Sequence, residues 1–245
     1  MRKKCICEYD GSAYSGWQWQ GNASSVQEKI EKALSTLYGG QEICVHCAGR
    51  TDARVHALGQ VFHFDEPHEH ASDTITSALN SLLPKDITIL STWDVGPDFH
   101  ARKSAITKTY LYRILNRPVR PALERERAWH RRTPIISEKL EEILSPLLGK
   151  HDFASFCVTR SLKENTVRTI LKISVRKKGD IIELRYTGDG FLHKMIRIIT
   201  GTAVELTISG KEPQDMIRIL QAGDRRQALV TAPAQGLFLE EVYYS

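Results

Sequence analysis

Apolar and polar residues alternate over residues 4–9, with Cys5, Cys7 and Tyr9 on one face, and Asp10-Gly11 follows as a turn signal. This pattern predicts a strand, and the polar, aromatic run YSGWQWQGN behind it predicts a loop. From Val26 the spacing becomes helical. Val26, Ile30, Ala33, Leu34 and Leu37 form one apolar stripe, Ser24 or Ser25 can cap it, and Gly39-Gly40 ends it. Strands are expected over 43–48, 60–64 and 87–93, with GRTDARVHA as a loop and a second helix from Ser72 or Asp73 to Leu83. The order β-α-β-β-α-β is the ferredoxin-like one.

The second half repeats the theme loosely. A strand over 107–115 leads into a basic linker, then a helix over 137–148 and strands over 167–175 and 181–186. A long helical stretch covers 191–208, a short helix 213–222, and a last strand 237–243. The expected fold is α+β: two ferredoxin-like, RRM-like halves forming one antiparallel sheet flanked by helices. The boundary is placed near Pro97, giving a half of residues 1–97 and another of 98–245. Regular βαβ crossovers with long apolar strands are missing, which argues against a doubly wound sheet.

Composition narrows the class. Of 245 residues, 41% are hydrophobic and 26% charged, which is ordinary globular usage and excludes disordered and fibrous chains. Five cysteines do not make a disulfide framework, so a reduced, cytoplasmic protein is expected. The start MRKKCICEYDG lacks the apolar stretch of a signal peptide, and no run of apolar residues is long enough to span a membrane.

The net charge of +5 is modest but concentrated. Between His100 and Arg132, ten Lys/Arg, among them Arg113, Arg117 and Arg120, face only Glu124 and Glu126. A second cluster from Arg160 to Lys178 carries seven basic residues, Lys163 included, against Glu164. Either cluster alone could be a solvated face. Two such stretches flanking aromatic strands fit a polyanion better, nucleic acid being the usual one.

Several candidate chemistries can be weighed on spacing. Cys5-x-Cys7 and Cys44-x-x-Cys47 suggest zinc, but a strand would send Cys44 and Cys47 to opposite faces, so buried structural cysteines are the better reading. The stretch DEPHEHASD has no recognised ligand spacing and reads as a solvated loop. Neither a Gly-rich phosphate loop nor a G-x-S-x-G elbow is present, which demotes phosphoryl transfer, cofactor-dependent redox and serine hydrolysis. The densest polar constellation is Gly49-Arg50-Thr51-Asp52, directly after an apolar strand. Asp52 there is either a nucleophile or base, or the acceptor of an Asx-type turn.

The segment AGRTDARVHALGQ closely resembles the signature of the TruA family of tRNA pseudouridine synthases. The resemblance continues, in the family's order, through SVQEKIEKAL, LNSLLPKDI, PDFHARKSAITKTYLYRI, GKHDFASF, GDGFLHKMIRIITG and APAQGLFLEEVYY. It implies a fold of two halves around a basic central cleft and a homodimer acting on tRNA without any cofactor or metal. The implied substrates are uridines of the anticodon stem-loop at tRNA positions 38, 39 and 40. It makes Asp52 the catalytic carboxylate, Tyr110 the stacking partner of the target uracil, and Arg197 the cationic partner of Asp52. Leu237 would pack beside the base, and Arg50 would help extrude the uridine. Arginine suits the pairing role because it is always charged and can bind a carboxylate bidentately.

The family pattern has glycine where this chain has Arg54, and an arginine after HDFxxF where this chain has Cys157. The expectation at Arg54 is a loop relaxed to negative φ, with the side chain turned toward the tRNA backbone as an added phosphate contact; the competing reading keeps a left-handed residue there, whose strain could misplace Asp52. A non-catalytic RNA-binding or tRNA-folding paralogue is the alternative reading, and a metal-dependent hydrolase a distant third.

Overall fold

Alternating burial, rather than strand propensity, sets the register of the first sheet. In the computed structural model, which describes residues 1–158 and 165–245, strand β1 (Arg2–Tyr9) buries Cys5, Cys7 and Tyr9 on the face expected from the sequence. It pairs antiparallel with β3 (His56–Asp65) and with β4 (Ile87–Val95), so that Cys5 lies opposite Phe62 and Thr92. A one-residue slip would turn this whole apolar set to the other face. Helix α1 (Val26–Leu37) starts where its capping box sits: the Ser25 hydroxyl accepts from the Glu28 N–H (3.2 Å), and the Glu28 carboxylate accepts from the Ser25 N–H (3.4 Å). Helix α2 (Ser72–Leu82) buries Ile75 and Leu79.

The described residues form two compact units, Met1–Ile106 with Phe238–Ser245, and Thr107–Leu237. This division differs from one at residue 97 in two ways. The 98–106 stretch stays with the first unit, where the Ala101 N–H donates to His63 Nδ1 (3.1 Å). The final strand β10 (Leu237–Tyr243) returns to β3, with Phe238 opposite His56 and Leu239 opposite Ala57. That pairing is parallel, so the expectation of a purely antiparallel sheet is corrected here.

In the second unit, β5 (Thr107–Asn116), β7 (Gly149–Asp152), β8 (Val167–Lys178) and β9 (Ile181–Gly188) form an antiparallel sheet ordered β5-β9-β8-β7. The short strand β6 (Trp129–Arg131) adds to β5 in parallel. Helices α3 (Ser137–Leu144), α4 (Met195–Ile208) and α5 (Pro213–Ala222) accompany it. Helix α4 is buried on nearly every side, with Met195, Ile198, Ile199 and Val204 fully enclosed, which makes it the core helix of this unit.

Several element boundaries differ from expectation. The strand expected over 43–48 is reduced to β2 (His46–Cys47), and β3 begins at His56, inside the expected loop. Cys44 is therefore exposed, and only Cys5, Cys7 and Cys157 are buried, so the buried reading of Cys44 is corrected. Helix α3 stops at Leu144 because Pro146 follows in a 3-10 turn. Helix α4 begins at Met195 rather than 191, since Lys194 adopts φ 61, outside helical space. Nor is the stretch at 65–73 wholly solvated. Glu66 is buried, accepts from the His70 N–H (3.2 Å), and lies 3.2 Å from the enclosed Lys3 ammonium. Among the second group of basic residues, Arg160, Lys163 and Glu164 fall outside the described residues.

The buried His63 imidazole gives the fold a pH dependence. Burial first, then the neighbouring His100 and Arg2, push its pKa down to about 4. The unfolded chain, with a histidine near its ordinary value of about 6.5, binds more protons between those limits. Stability is therefore full above about pH 6.5 and is lost as the pH falls toward 4. Urea titrations should show about 1–2 kcal/mol less unfolding free energy from this group at pH 5 than at pH 7. His63→Gln should flatten that slope whatever it does to stability at pH 7; an undiminished slope in the variant would place the titrating group elsewhere.

Candidate active site

The GRTD segment is held from both ends before its side chains are considered. The Ala48 N–H donates to the Val61 carbonyl (2.7 Å), and the buried Gln60 amide on β3 donates to the Gly49 carbonyl (2.7 Å). Thr51 is buried and shares a 2.8 Å hydrogen bond with the Tyr9 hydroxyl, while its carbonyl accepts from the Trp17 N–H (3.1 Å). Gly16 sits at φ 97 with its Cα so close that a Cβ would come within 2.5 Å of the Thr51 carbonyl oxygen. The YSGWQWQGN loop thus packs backbone to backbone on the segment carrying Asp52, which only glycine permits here. Asp52 itself is half-buried and Arg50 exposed, so this mount presents a carboxylate at the end of a sheet without enclosing it.

The Asp52 carbonyl accepts from the Val55 N–H (3.1 Å), closing a four-residue turn whose third residue is Arg54. Its φ is 65, in the left-handed region. The expectation of a relaxed, negative φ is overturned. The reason is visible in the bonds: the Arg54 N–H donates to the Tyr14 carbonyl (3.1 Å), so the turn and the neighbouring loop together dictate the backbone. A turn of this kind with positive φ at its third position ordinarily takes glycine. A non-glycine residue there costs about 1–2 kcal/mol and persists only where the surroundings over-determine it. The exposed Arg54 side chain projects from this strained position, two residues from Asp52.

The remaining expected residues lie at the boundary and interior of the second unit. Tyr110, on β5, is 9% exposed, sits opposite Tyr186, and meets the Phe191 ring edge-on at 5.3 Å. Two residues on, and on the same face, the Tyr112 hydroxyl donates to the Pro233 carbonyl (2.8 Å). Arg197, in the first turn of α4, donates from Nε to the Ala232 carbonyl (2.8 Å), and its own carbonyl accepts from the Ala232 N–H (2.9 Å). A Cβ on Gly201, one turn later, would strike the Val230 carbonyl oxygen and approach the Ala232 N within 2.9 Å. Leu237, buried at the start of β10, follows directly on this tethered stretch. The structure thereby brings Arg197 and the APAQGL segment together, and separately brings Arg50, Asp52 and Arg54 together on one loop.

Some of the basic linker is already neutralised within the chain. Arg113 pairs with Glu124 (3.2 Å), Arg117 with Asp180 (3.4 Å), and Arg131 with Glu205 (2.9 Å) while lying over the Trp129 ring. Arg102, Lys103, Arg120 and Arg132 are exposed. The local excess of positive charge is thus smaller in its available form than the residue count implies. Thr51 stands in the constellation that the sequence marks out as able to position Asp52, whereas Tyr112 and Gly201 carry no such mark, although they lie inside the Y-x-Y strand and the helix of GFLHKM. Their partners, Pro233 for Tyr112 and the 230–232 stretch for Gly201, lie about 30 to 120 residues away, which no local pattern reveals.

The family model for tRNA pseudouridine synthase matches residues 6–102 and 143–245. Among curated relatives, tRNA pseudouridine synthase A of Geobacillus kaustophilus is 43% identical over 245 residues, covering 100% of this chain and 95% of that protein. The tRNA pseudouridine synthase A 2 of Clostridium tetani is 40% identical, covering 97% and 96%, and the enzyme of Bacillus subtilis is 39% identical, covering 100% and 99%. Identity at this level over the whole length, with the Asp52 loop and the Arg197 helix both inside the matched residues, shows that the chain belongs to the tRNA pseudouridine synthase family.

Proposed function

We propose that this protein isomerises uridine to pseudouridine in the anticodon stem-loop of tRNA, at positions 38, 39 and 40, with Asp52 as the catalytic carboxylate. The observation that carries the reading is the doubly tethered GRTD loop, which presents a half-buried carboxylate at a sheet end in a chain of this family. The reaction breaks the N1–C1′ bond, turns the uracil and forms C5–C1′, with the C5 proton lost to solvent and a proton taken up at N1 in its place. It is redox-neutral, and it needs an ionised carboxylate at C1′ or C2′ as nucleophile or base. The target must first leave its stack, at a cost of a few kcal/mol.

In this reading Tyr110 supplies the flat face that takes the uracil, worth about 1–3 kcal/mol per stacked base. Arg197 supplies the counter-charge for the Asp52 carboxylate, Leu237 the apolar packing beside the base, and Arg50 the push on the extruded uridine. Arg54 adds a phosphate contact. The protein would work in the cytoplasm as a homodimer. Among the described residues no helix is long and apolar enough to cross a membrane.

Tritium release from tRNA labelled at uridine C5 tests the activity directly. The wild-type protein should release label, and Asp52→Asn should abolish release while tRNA affinity stays within a few-fold, because phosphate contacts dominate affinity. Turnover in the Asn variant comparable to wild type would move catalysis elsewhere. A wild-type protein that binds tRNA but releases nothing would establish the non-catalytic paralogue instead.

Tyr110→Phe should keep affinity and, if the hydroxyl moves a proton, slow single turnover; Tyr110→Ala should lose both binding and rate. An unchanged rate in the Phe variant would reduce Tyr110 to a platform.

Arg54→Gly should relieve the left-handed strain, leaving thermal stability equal or higher by up to about 1 kcal/mol once the unfolded-state entropy of glycine is offset. The chemical rate should stay within a few-fold, while tRNA binding weakens and the salt dependence of log K becomes shallower by about one contact. A tenfold rise in single-turnover rate with unchanged affinity would show that the strain misplaces Asp52 and that Arg54 binds nothing.

A further inference from the structure

Two tryptophans stand two residues apart in the loop that braces Asp52, and they face opposite ways. Trp17 is 1% exposed, its ring against Tyr9 and Phe62 at 6.1 and 6.0 Å, and it anchors the loop. Trp19 is 55% exposed. An exposed indole alone means little, since much of any protein surface is apolar. Here, however, the backbone that presents it is fixed by polar bonds that do not involve the ring. The Trp19 N–H donates to Gln27 Oε1 (3.0 Å), the same oxygen accepts from the Gln18 amide (3.0 Å), and the Gln27 amide is tied to Glu31 (2.8 Å). The turn beyond closes with the Ala23 N–H on the Gln20 carbonyl (3.4 Å).

Position and chemistry narrow what such a ring could meet. The Trp17 N–H is bonded to the Thr51 carbonyl, and two residues of chain span at most about 7 Å, so Trp19 is mounted close beside the Asp52 loop. A concavity of about 330 Å³ adjoins it, lined by Trp19, the 20–24 turn, Glu28 and Lys29. It is a shallow depression open to solvent, broad enough for a nucleobase to lie against the indole without being enclosed. Its two charges oppose each other, with Lys29 Nζ 3.8 Å from the Glu28 carboxylate, so it offers little to a phosphate. A flat π-face with neutral polar edges is the chemistry of an unstacked base.

We propose that Trp19 is a second RNA platform: it stacks on an unpaired base adjoining the target uridine, held in the pocket between the indole and the 20–24 turn. This rests on the tRNA reading above. It deepens that reading by assigning a substrate contact to a residue outside the catalytic set.

Trp19→Ala and Trp19→Phe, compared with wild type, test it by tRNA affinity at several salt concentrations and by single-turnover tritium release at saturating tRNA. Trp19→Ala should raise Kd about 10-fold or more, Trp19→Phe should recover most of the loss, and the salt slope should stay that of wild type because no phosphate contact is removed. Intrinsic tryptophan emission should be quenched when wild type binds tRNA, and most of that change should vanish in Trp19→Phe. A Kd for Trp19→Ala within twofold of wild type overturns the proposal, as does a slope shallower by one contact. Altered self-association of Trp19→Ala without RNA, at unchanged Kd, also overturns it and assigns the indole to a protein contact. If wild type itself neither binds tRNA nor releases tritium, the functional reading fails as a whole; if wild type is active and Trp19→Ala matches it, only the Trp19 assignment falls.

Discussion

The hydrogen bond from the Trp17 N–H to the Thr51 carbonyl, made possible by the missing Cβ of Gly16, is the constraint on which the Asp52 site depends. It joins two loops whose positions are set by different strands. Burial of Trp17 drives the first loop down onto Tyr9 and Phe62, and the resulting backbone contact pins the residue before the candidate nucleophile. In the proposed role the carboxylate approaches a sugar carbon, and a fixed loop suits that role, because an error of about 1 Å can lower a rate about 10²-fold. The same contact propagates in both directions along the chain. On one side of it the chain enters the turn that holds Arg54 in left-handed space, and on the other it carries Trp19 outward.

The second unit solves a comparable problem with a helix instead of a strand. Helix α4 is apolar almost all round, so it must be buried, and its one arginine near the N-terminus can reach outward only where a neighbouring segment accepts it. The 230–236 stretch provides that: it crosses Gly201 at a distance that any side chain would forbid, and it exchanges hydrogen bonds with Arg197 through both backbone and side chain. The Tyr112 hydroxyl then holds the Pro233 carbonyl. Arg197, Leu237 and the Tyr110 strand are thereby tied into one framework, with the Ala232 N–H and carbonyl and the Pro233 carbonyl paired inside it.

The departure at Arg54 shows how a backbone demand and a chemical opportunity can coexist at one position. The turn needs positive φ, the neighbouring Tyr14 carbonyl enforces it, and the residue present is a cation rather than glycine. Strain of about 1–2 kcal/mol is small against the interactions that hold the loop, so it can be tolerated in exchange for a charge beside the candidate carboxylate.

The sequence by itself determined the elements whose signals are local. The period-2 burial of β1, the Ser25 capping box and stripe of α1, the span of α5 behind Pro213, and the ordered motifs that mark the family were all legible in the chain. So was the candidate catalytic carboxylate, because GRTD is a contiguous pattern. What only the tertiary structure decided was long-range. It returned β10 to lie parallel to β3, paired the linker arginines with acids 11 to 74 residues away, and enforced the left-handed backbone of Arg54. It also turned Trp17 inward and Trp19 outward from one aromatic run. Propensity and periodicity act over one or two turns of chain. The close approaches that orient a site are made between backbones distant in sequence, and they exist only once both partners are in place.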